Sequence, residues 1–170
     1  FSDKVEKFIP PKKGKGHILR IIREILTFQP NRKKTNISEA LIYLNSVIKK
    51  RSICFILSDF MSPEFEKPLK IASKKHDLVG LRIYDKREEV LPNIGLIPIQ
   101  DAETEEKIFL DTSSKKVRDS FRKDNLKKTQ ELKRLFFANG VDLIDIETGN
   151  DYVKPLMNFF KNRGKRKWER

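Results

Sequence analysis

The residues of this sequence with the clearest chemical potential are acids that follow runs of apolar residues. In RSICFILSDF, five consecutive apolar residues are followed by Ser58 and then by Asp59. Asp85 directly follows DLVGLRIY. Asp145 and Glu147 lie within VDLIDIE. Such runs predict strands of a buried parallel sheet, and ligands bind beyond the carboxyl ends of strands of that kind. Carboxylates at that edge bind hard cations or accept hydrogen bonds from loop amides.

Thr35 is a second candidate, because its hydroxyl opens the predicted helix KTNISEAL, which precedes the strand that ends before Asp59. In a right-handed α/β unit a helix and the next strand run in opposite directions, so the helix starts at the edge where the strand ends. We therefore expect Thr35 and Asp59 to converge, although 23 residues separate them, with Ser58 and Asn36 as their neighbours. The other interpretation is that Asp59 only caps the turn after its strand.

The elements that must position these residues alternate along the chain. We predict helices over 16–28, 37–51, 62–76, 113–138 and 151–160, and strands over 52–58, 77–84, 96–101, 107–112 and 141–147. This order predicts an α/β fold, with a doubly wound, mainly parallel sheet and helices on both faces. The strands at 96–101 and 107–112 are predicted to form an inserted β-hairpin.

Local signals add detail at the ends of this pattern. The first ten residues are expected to form the tail of one strand, a turn and a short strand. Ser62 is the expected N-cap of the helix over 62–76, with Pro63 at its first helical position. The predicted domain covers residues 1–163, and a basic tail follows at 164–170.

Composition limits the class of protein. The 170 residues carry a net charge of +13, which permits an acidic partner without identifying one. Cys54 is the only cysteine and lies inside an apolar strand, so it is expected to be a small buried hydrophobe in a reducing compartment. Apolar runs fall far short of the ~20 residues that span a bilayer, and no secretory signal is present. His17 and His76 are expected to have loop and packing roles.

Several segments together resemble a known family. FSDKVEKFIPPKKGKGHILRIIREIL, TNISEALIYLN, RSICFILSDF, EKPLKIASKKHDLVGLRIYD and LIPIQDAET cover most of residues 1–112. They resemble the von Willebrand factor A domain, and most closely a bacterial branch known as a domain of unknown function, the fifty-eighth in that series. The resemblance implies a cytoplasmic module that binds or assembles proteins without catalysis, often encoded beside MoxR-type AAA+ ATPases. It also implies a metal ion-dependent adhesion site to which Thr35 and Asp59 contribute, with Ser58 and Asn36 beside them.

The sequence departs from the family pattern in one respect. The family's metal site begins with an Asp-x-Ser-x-Ser loop, and this chain contains no such motif. FSD at the N-terminus resembles the end of the second strand, so the fold is expected to be incomplete at its N-terminus. Thr35 and Asp59 alone are a poor cage for Mg²⁺, which prefers six oxygen ligands. We therefore expect Mg²⁺ or another divalent cation in the full-length protein and none in this chain.

An incomplete sheet has a consequence for association. Without a first strand, the apolar strand at 52–57 would present an unpaired edge, and such edges recruit other strands. We expect either a homodimer through 52–57 or residues 1–9 folded across that edge.

Two functions follow from the sequence. The first is a non-catalytic protein-interaction module of the von Willebrand A type, with a MoxR-type AAA+ ATPase as a possible partner. The second is a nucleic-acid-binding protein or metal-dependent nuclease, in which Asp59, Asp85 and Asp145 or Glu147 form an acidic cluster. The first is preferred and nucleic acid is not expected as a partner, because the excess positive charge is not concentrated around these acids.

Overall fold

The structure of the chain is a computed structural model that describes residues 1–31, 34–62, 64–100 and 107–168, with only the backbone at 99, 100, 107, 108 and 165–168. Its elements, in chain order, are α1 (Lys15–Thr27), α2 (Ile37–Val47), β1 (Ile53–Ser58), α3 (Glu66–Lys75), β2 (Asp77–Tyr84), α4 (Lys86–Glu89), β3 (Leu96–Gln100), β4 (Lys107–Asp111), α5 (Lys115–Ala138), β5 (Asp142–Glu147) and α6 (Val153–Trp168).

Three strands form a parallel sheet in the order β1-β2-β5. Phe55 pairs with Val79 on β2, and Leu81 on β2 pairs with Ile144 on β5. The other two strands, β3 and β4, form a separate antiparallel hairpin. The predicted α/β class, the parallel sheet and the hairpin are therefore confirmed.

One face of the sheet carries the main core. Side chains from α2, α3 and α5 pack on it, and the cluster includes Ile37, Leu41, Ile56, Phe60, Phe65, Leu69, Ala72, Leu78, Phe136 and Val141. Gly80 lies under Phe136, and a methyl group on its backbone would come within 2.5 Å of the Phe136 ring. Strand β2 therefore has glycine where α5 crosses the sheet closely.

The opposite face is covered by α6. Leu156 and Phe159 pack there against a second cluster of Val79, Leu81 and Ile144. Helices thus lie on both faces of the sheet, as predicted.

On this second face α6 reaches β1 through the ring contact of Phe160 with Phe55, but much of β1 stays exposed. Its side chains Ile53, Phe55 and Leu57 are 61%, 43% and 59% exposed. In the described part of the chain, β1 also pairs with only one neighbouring strand, β2. The exposed apolar edge expected from the sequence is therefore present.

Residues 1–10 depart from the prediction. They contain no strand and lie against α2, where the backbone N–H of Asn36 donates to the Ser2 carbonyl oxygen at 3.0 Å. Phe8 contacts Tyr43 edge-to-face, with ring centroids 5.9 Å apart. The expectation that residues 1–9 fold across β1 is therefore wrong, because their apolar side chains find a surface on α2 instead.

Helix α3 begins later than predicted, at Glu66, with Phe65 at the N-cap position. Ser62 is not its cap, because the Ser62 hydroxyl is hydrogen-bonded to the start of α2. The predicted role of Pro63 falls outside the described residues. At the other end of the chain, α6 continues to Trp168, so the predicted tail at 164–170 begins inside a helix.

Cys54 is half-buried and packs against the main core. Burial raises the pKa of its thiol, and the negative charge of Asp77 raises it further. The sulfur is therefore protonated and unreactive. None of the helices in the described part of the chain combines the length and the apolar character that a membrane span requires.

Candidate functional site

The site lies at the carboxyl ends of β1 and β2, and its first part is the turn after β1. The Ser58 hydroxyl oxygen accepts a hydrogen bond from the Phe60 amide at 3.0 Å, and Asp59 Oδ1 accepts one from the Met61 amide at 3.0 Å. Asp59 is exposed. Its carboxylate therefore caps the turn, as the second interpretation proposed, while it remains accessible at the surface.

The start of α2 forms the second part of this edge. Asn36 Oδ1 accepts from the Glu39 amide at 3.2 Å, so Asn36 is the N-cap of the helix. Thr35 lies directly before it and is half-buried. An N-cap side chain here fixes the first turn of α2 and, with it, the position of Thr35.

Hydrogen bonds join these two parts. The Ser62 hydroxyl donates to the Thr35 carbonyl oxygen at 3.4 Å and accepts from the Ile37 amide at 3.2 Å. The Ser38 hydroxyl donates to the Glu64 carbonyl oxygen at 2.8 Å. The segment that follows Asp59 therefore contacts the segment that contains Thr35, and both lie on one edge of the sheet. We call this edge, formed by residues 35–38 and 58–62, the rim.

Asp85 lies at the end of the neighbouring strand β2. Its Oδ1 accepts from the Arg87 amide at 2.8 Å, so it caps the short helix α4. A cavity of about 120 Å³ lies between the turn after β1, the end of β2 and the helices α4 and α5. Asp59, Tyr84, Asp85 and Lys128 are among the residues that line it.

Arg82 is the residue at this end of the sheet that the sequence analysis missed. Its side chain is 12% exposed and bonds to Glu89 at 2.9 Å and to Asp145 at 3.3 Å. Lys133 contacts the other oxygen of Asp145 at 2.7 Å. A single arginine inside the apolar run DLVGLRIY was the available signal, because a half-buried cation in a strand requires a carboxylate partner.

The ion pairs separate the predicted acidic cluster into local structural roles. Asp145 forms ion pairs with the side chains of Arg82 and Lys133. Asp85 caps α4, and Asp59 caps the turn after β1. Among the described residues, no group of three His, Cys, Asp or Glu side chains could hold a metal ion. Thr35 and Asp59 at the rim offer two side chains, which do not by themselves fit the six-oxygen cage of Mg²⁺.

Tyr84 borders the same cavity. The Arg82 guanidinium lies over its ring, 4.6 Å from the centroid. Burial raises the pKa of the Tyr84 hydroxyl, and the carboxylates of Glu147, Glu89 and Asp145 raise it further. The phenol is therefore neutral and serves as a packing surface for Arg82.

The fold and the rim define an α/β domain with a polar edge at the carboxyl ends of a parallel sheet. The chain belongs to the family described as protein of unknown function DUF58, whose family model matches residues 1–131. No solved structure matches the chain.

Relatives occur in mycobacteria. The chain is 25% identical over 160 residues to the uncharacterised protein MAV169 of Mycobacterium avium, a match that covers 91% of this chain and 93% of the relative. It is 24% identical over 160 residues to the uncharacterised proteins Rv1480 of Mycobacterium tuberculosis and Mb1516 of Mycobacterium bovis. Those two matches cover 91% of this chain and 50% of each relative, so the chain spans about half the length of these two proteins.

Proposed function

We propose that this chain is a non-catalytic protein-binding module of the von Willebrand A type, and that the rim is the surface that contacts the partner. Thr35 and Asp59 supply two of the oxygen ligands of a divalent cation, Mg²⁺ or a similar hard ion. The remaining ligands come from outside the described residues. Ser58 and Asn36 keep the two ligand-bearing segments in position.

The observation that carries this proposal is the hydrogen bonding of Ser62 and Ser38 across the rim. It brings the start of α2 and the end of β1 together, although they are far apart in the sequence. An accessible carboxylate beside a helix start is a suitable place for a partner's side chain to reach a shared cation.

A MoxR-type AAA+ ATPase is the partner we propose. The family resemblance described in the sequence analysis supports this choice. The positive net charge of +13 favours a partner with an acidic surface.

The proposal is tested by measuring binding of the chain to a purified MoxR-type ATPase by calorimetry, with Mg²⁺ and with EDTA. We expect binding that requires Mg²⁺ and that is at least tenfold weaker in Asp59→Asn and in Thr35→Val. The Asp59→Asn variant is informative because an amide oxygen still accepts the bond from the Met61 amide, so the turn is preserved while the charge is lost.

Asp119→Asn is the matched control, because Asp119 is an exposed acid on α5 that precedes the α5 residues lining the cavity beside Asp59. It should bind like the unmodified chain. Binding that is equally strong in EDTA, or unchanged by both rim substitutions, would show that the rim is not a cation-dependent surface.

A further inference from the structure

In the described part of the chain, the exposed edge of β1 lacks the features by which proteins protect an edge strand. Residues 53–57 contain no charge and no proline, and Ile53, Phe55 and Leu57 are 43–61% exposed. Soluble proteins usually block such an edge with lysine, proline, a bulge or a covering element. In the part of the chain that the structure describes, β1 pairs with β2 on one side and with no strand on the other. The free side is therefore a surface that favours pairing with another strand.

The charges at the two ends of β1 are opposite. Lys49, Lys50 and Arg51 precede the strand, and Asp59 follows it. If two copies paired in parallel, like charges would lie next to each other. In antiparallel pairing, the basic start of one strand lies beside the acidic end of the other. Antiparallel pairing of identical strands also closes on a two-fold axis, whereas repeated head-to-tail contacts produce open assemblies.

We propose that two copies of this chain pair antiparallel through β1. The two-fold axis that relates them passes between Phe55 of one copy and Phe55 of the other. The two three-stranded sheets then become one sheet of six strands. In this register Phe55 faces Phe55 of the second copy, Ile53 faces its Leu57, and Arg51 faces its Asp59.

The periodicity of the strand selects this register. Ile53, Phe55 and Leu57 alternate with the core-facing residues Cys54 and Ile56, so the three exposed side chains share one face. An axis through Phe55 places apolar residues opposite apolar residues on that face, and opposite charges at its two ends. Moving the axis by two residues, to Ile53 or Leu57, places a charged residue opposite an apolar one.

Helix α6 adds apolar surface beside the axis. Phe160 contacts Phe55 edge-to-face, with ring centroids 6.2 Å apart, and is itself 51% exposed. Met157, one turn earlier, is 52% exposed. A six-residue strand edge with these two side chains is smaller than the ~800 Å² that each partner buries in a standard stable interface. We therefore expect a dimer that forms as the concentration of the chain rises.

Cysteine cross-linking tests the register. Directly opposed residues of antiparallel strands have Cα atoms about 4.5 to 5.5 Å apart, within the range of about 4.4 to 6.8 Å that a disulfide requires. In a Cys54→Ala background, Phe55→Cys should form a covalent dimer with oxidised glutathione, which accepts the two electrons and leaves as two reduced molecules. Ile71→Cys in the same background is the control, because Ile71 is 62% exposed on α3 and should not cross-link.

Mixed variants test the direction of pairing. Ile53→Cys and Leu57→Cys, each in the Cys54→Ala background, should remain largely uncross-linked alone and should form heterodimers when mixed. Efficient cross-linking of Ile53→Cys alone would indicate parallel or shifted pairing and would overturn the proposal. Cross-linking of Phe55→Cys that is no faster than that of Ile71→Cys would overturn it as well.

Sedimentation equilibrium of the unmodified chain provides a second, independent measurement. The mass should rise with concentration from 20.0 kDa towards twice that value and not beyond. Leu57→Lys and Ile53→Lys alter exposed side chains and should each weaken the dimer about tenfold, since each removes two cross-strand apolar pairs. A constant mass of 20.0 kDa would mean that the edge is covered in another way, and a mass above twice that value would mean open-ended pairing. Either result would contradict the proposal.

Discussion

Phe60, directly after Asp59, has a backbone φ of 61°, a left-handed conformation that is unusual for a bulky residue. Its ring is buried, 5.0 Å from Phe136 and 6.1 Å from Phe65 between centroids, and its amide donates to Ser58. Packing and hydrogen bonding together offset the cost of this conformation, which is on the order of 1–3 kcal/mol. At the scale of single residues, the main core thus fixes the path of the chain at the rim.

Gly80 is the position where one added methyl group should have the largest effect. In Gly80→Ala the new carbon would lie 2.5 Å from the Phe136 ring and 2.9 Å from a Leu143 methyl group. We expect the free energy of unfolding, measured in urea, to fall by about 1 to 3 kcal/mol. The control is Gly16→Ala in α1, where nothing lies within 4 Å, and which should be neutral or stabilising. Equal stability of Gly80→Ala and the unmodified chain would show that α5 packs less closely.

His76 is buried, and among the described residues neither of its ring nitrogens has a hydrogen-bond partner. Burial lowers the pKa of His76 below its usual value of 6.5, and the positive charge of Lys75 lowers it further. Above pH 6.5 the ring is neutral in both the folded and unfolded states. Below pH 6.5 the unfolded chain takes up a proton that the folded chain excludes, so stability falls as the pH falls.

The pH dependence of unfolding checks this assignment. Between about pH 7.5 and about pH 5.5, stability of the unmodified chain should fall by no more than about 1.4 kcal/mol per pH unit from this group. His76→Leu should show a smaller dependence in that interval, whatever its absolute stability. An identical slope in the two proteins would mean that other groups cause the dependence.

At the scale of elements, one arginine attaches α6 to the sheet. Arg163 forms ion pairs with Asp77 at the start of β2 and with Asp142 at the start of β5, the latter at 3.3 Å. Its guanidinium also lies 5.3 Å from the centre of the Phe159 ring. These contacts place α6 over β2 and β5. On the same face β1 stays largely exposed, although Phe160 of α6 contacts its Phe55.

We expect Arg163→Gln to lower the free energy of unfolding by about 1 to 2 kcal/mol, because charged hydrogen bonds of half-buried groups are lost. Hydrogen exchange should accelerate in the amides of α6 more than in those of β1 and β2. Lys161→Gln, at an exposed position of the same helix, should have little effect. Uniform acceleration across the whole chain would show that α6 opens only together with the sheet.

At the scale of the whole molecule, the positive net charge of +13 opposes compaction. Added NaCl screens this repulsion, so we expect the melting temperature to rise with salt. Reversing two exposed charges on α5, Lys116→Glu and Lys123→Glu, lowers the net charge from +13 to +9, since each reversal removes two charges. That variant should show a smaller rise. A melting temperature that falls with salt would mean that ion pairs such as those of Arg82 outweigh the repulsion.

The sequence by itself determined the order of the elements. Strands β1, β2 and β5 were predictable because short segments rich in apolar and β-branched residues, bounded by polar residues, favour buried strands of a parallel sheet. Opposite directions of a helix and its following strand were enough to place Thr35 and Asp59 at one edge. Rules of this kind depend only on the order and direction of consecutive elements.

Only the tertiary structure decided which surfaces are used. Phe136 is fully buried and Phe137 is 88% exposed, although the two are adjacent and identical in type. Ser62 contacts α2 instead of capping α3, and residues 1–9 pack on α2 instead of β1. Each of these outcomes depends on competition between distant segments for the same apolar area or hydrogen bond. Such competition has no signature within a short window of sequence, which is why the rim's connecting bonds became visible only in the fold.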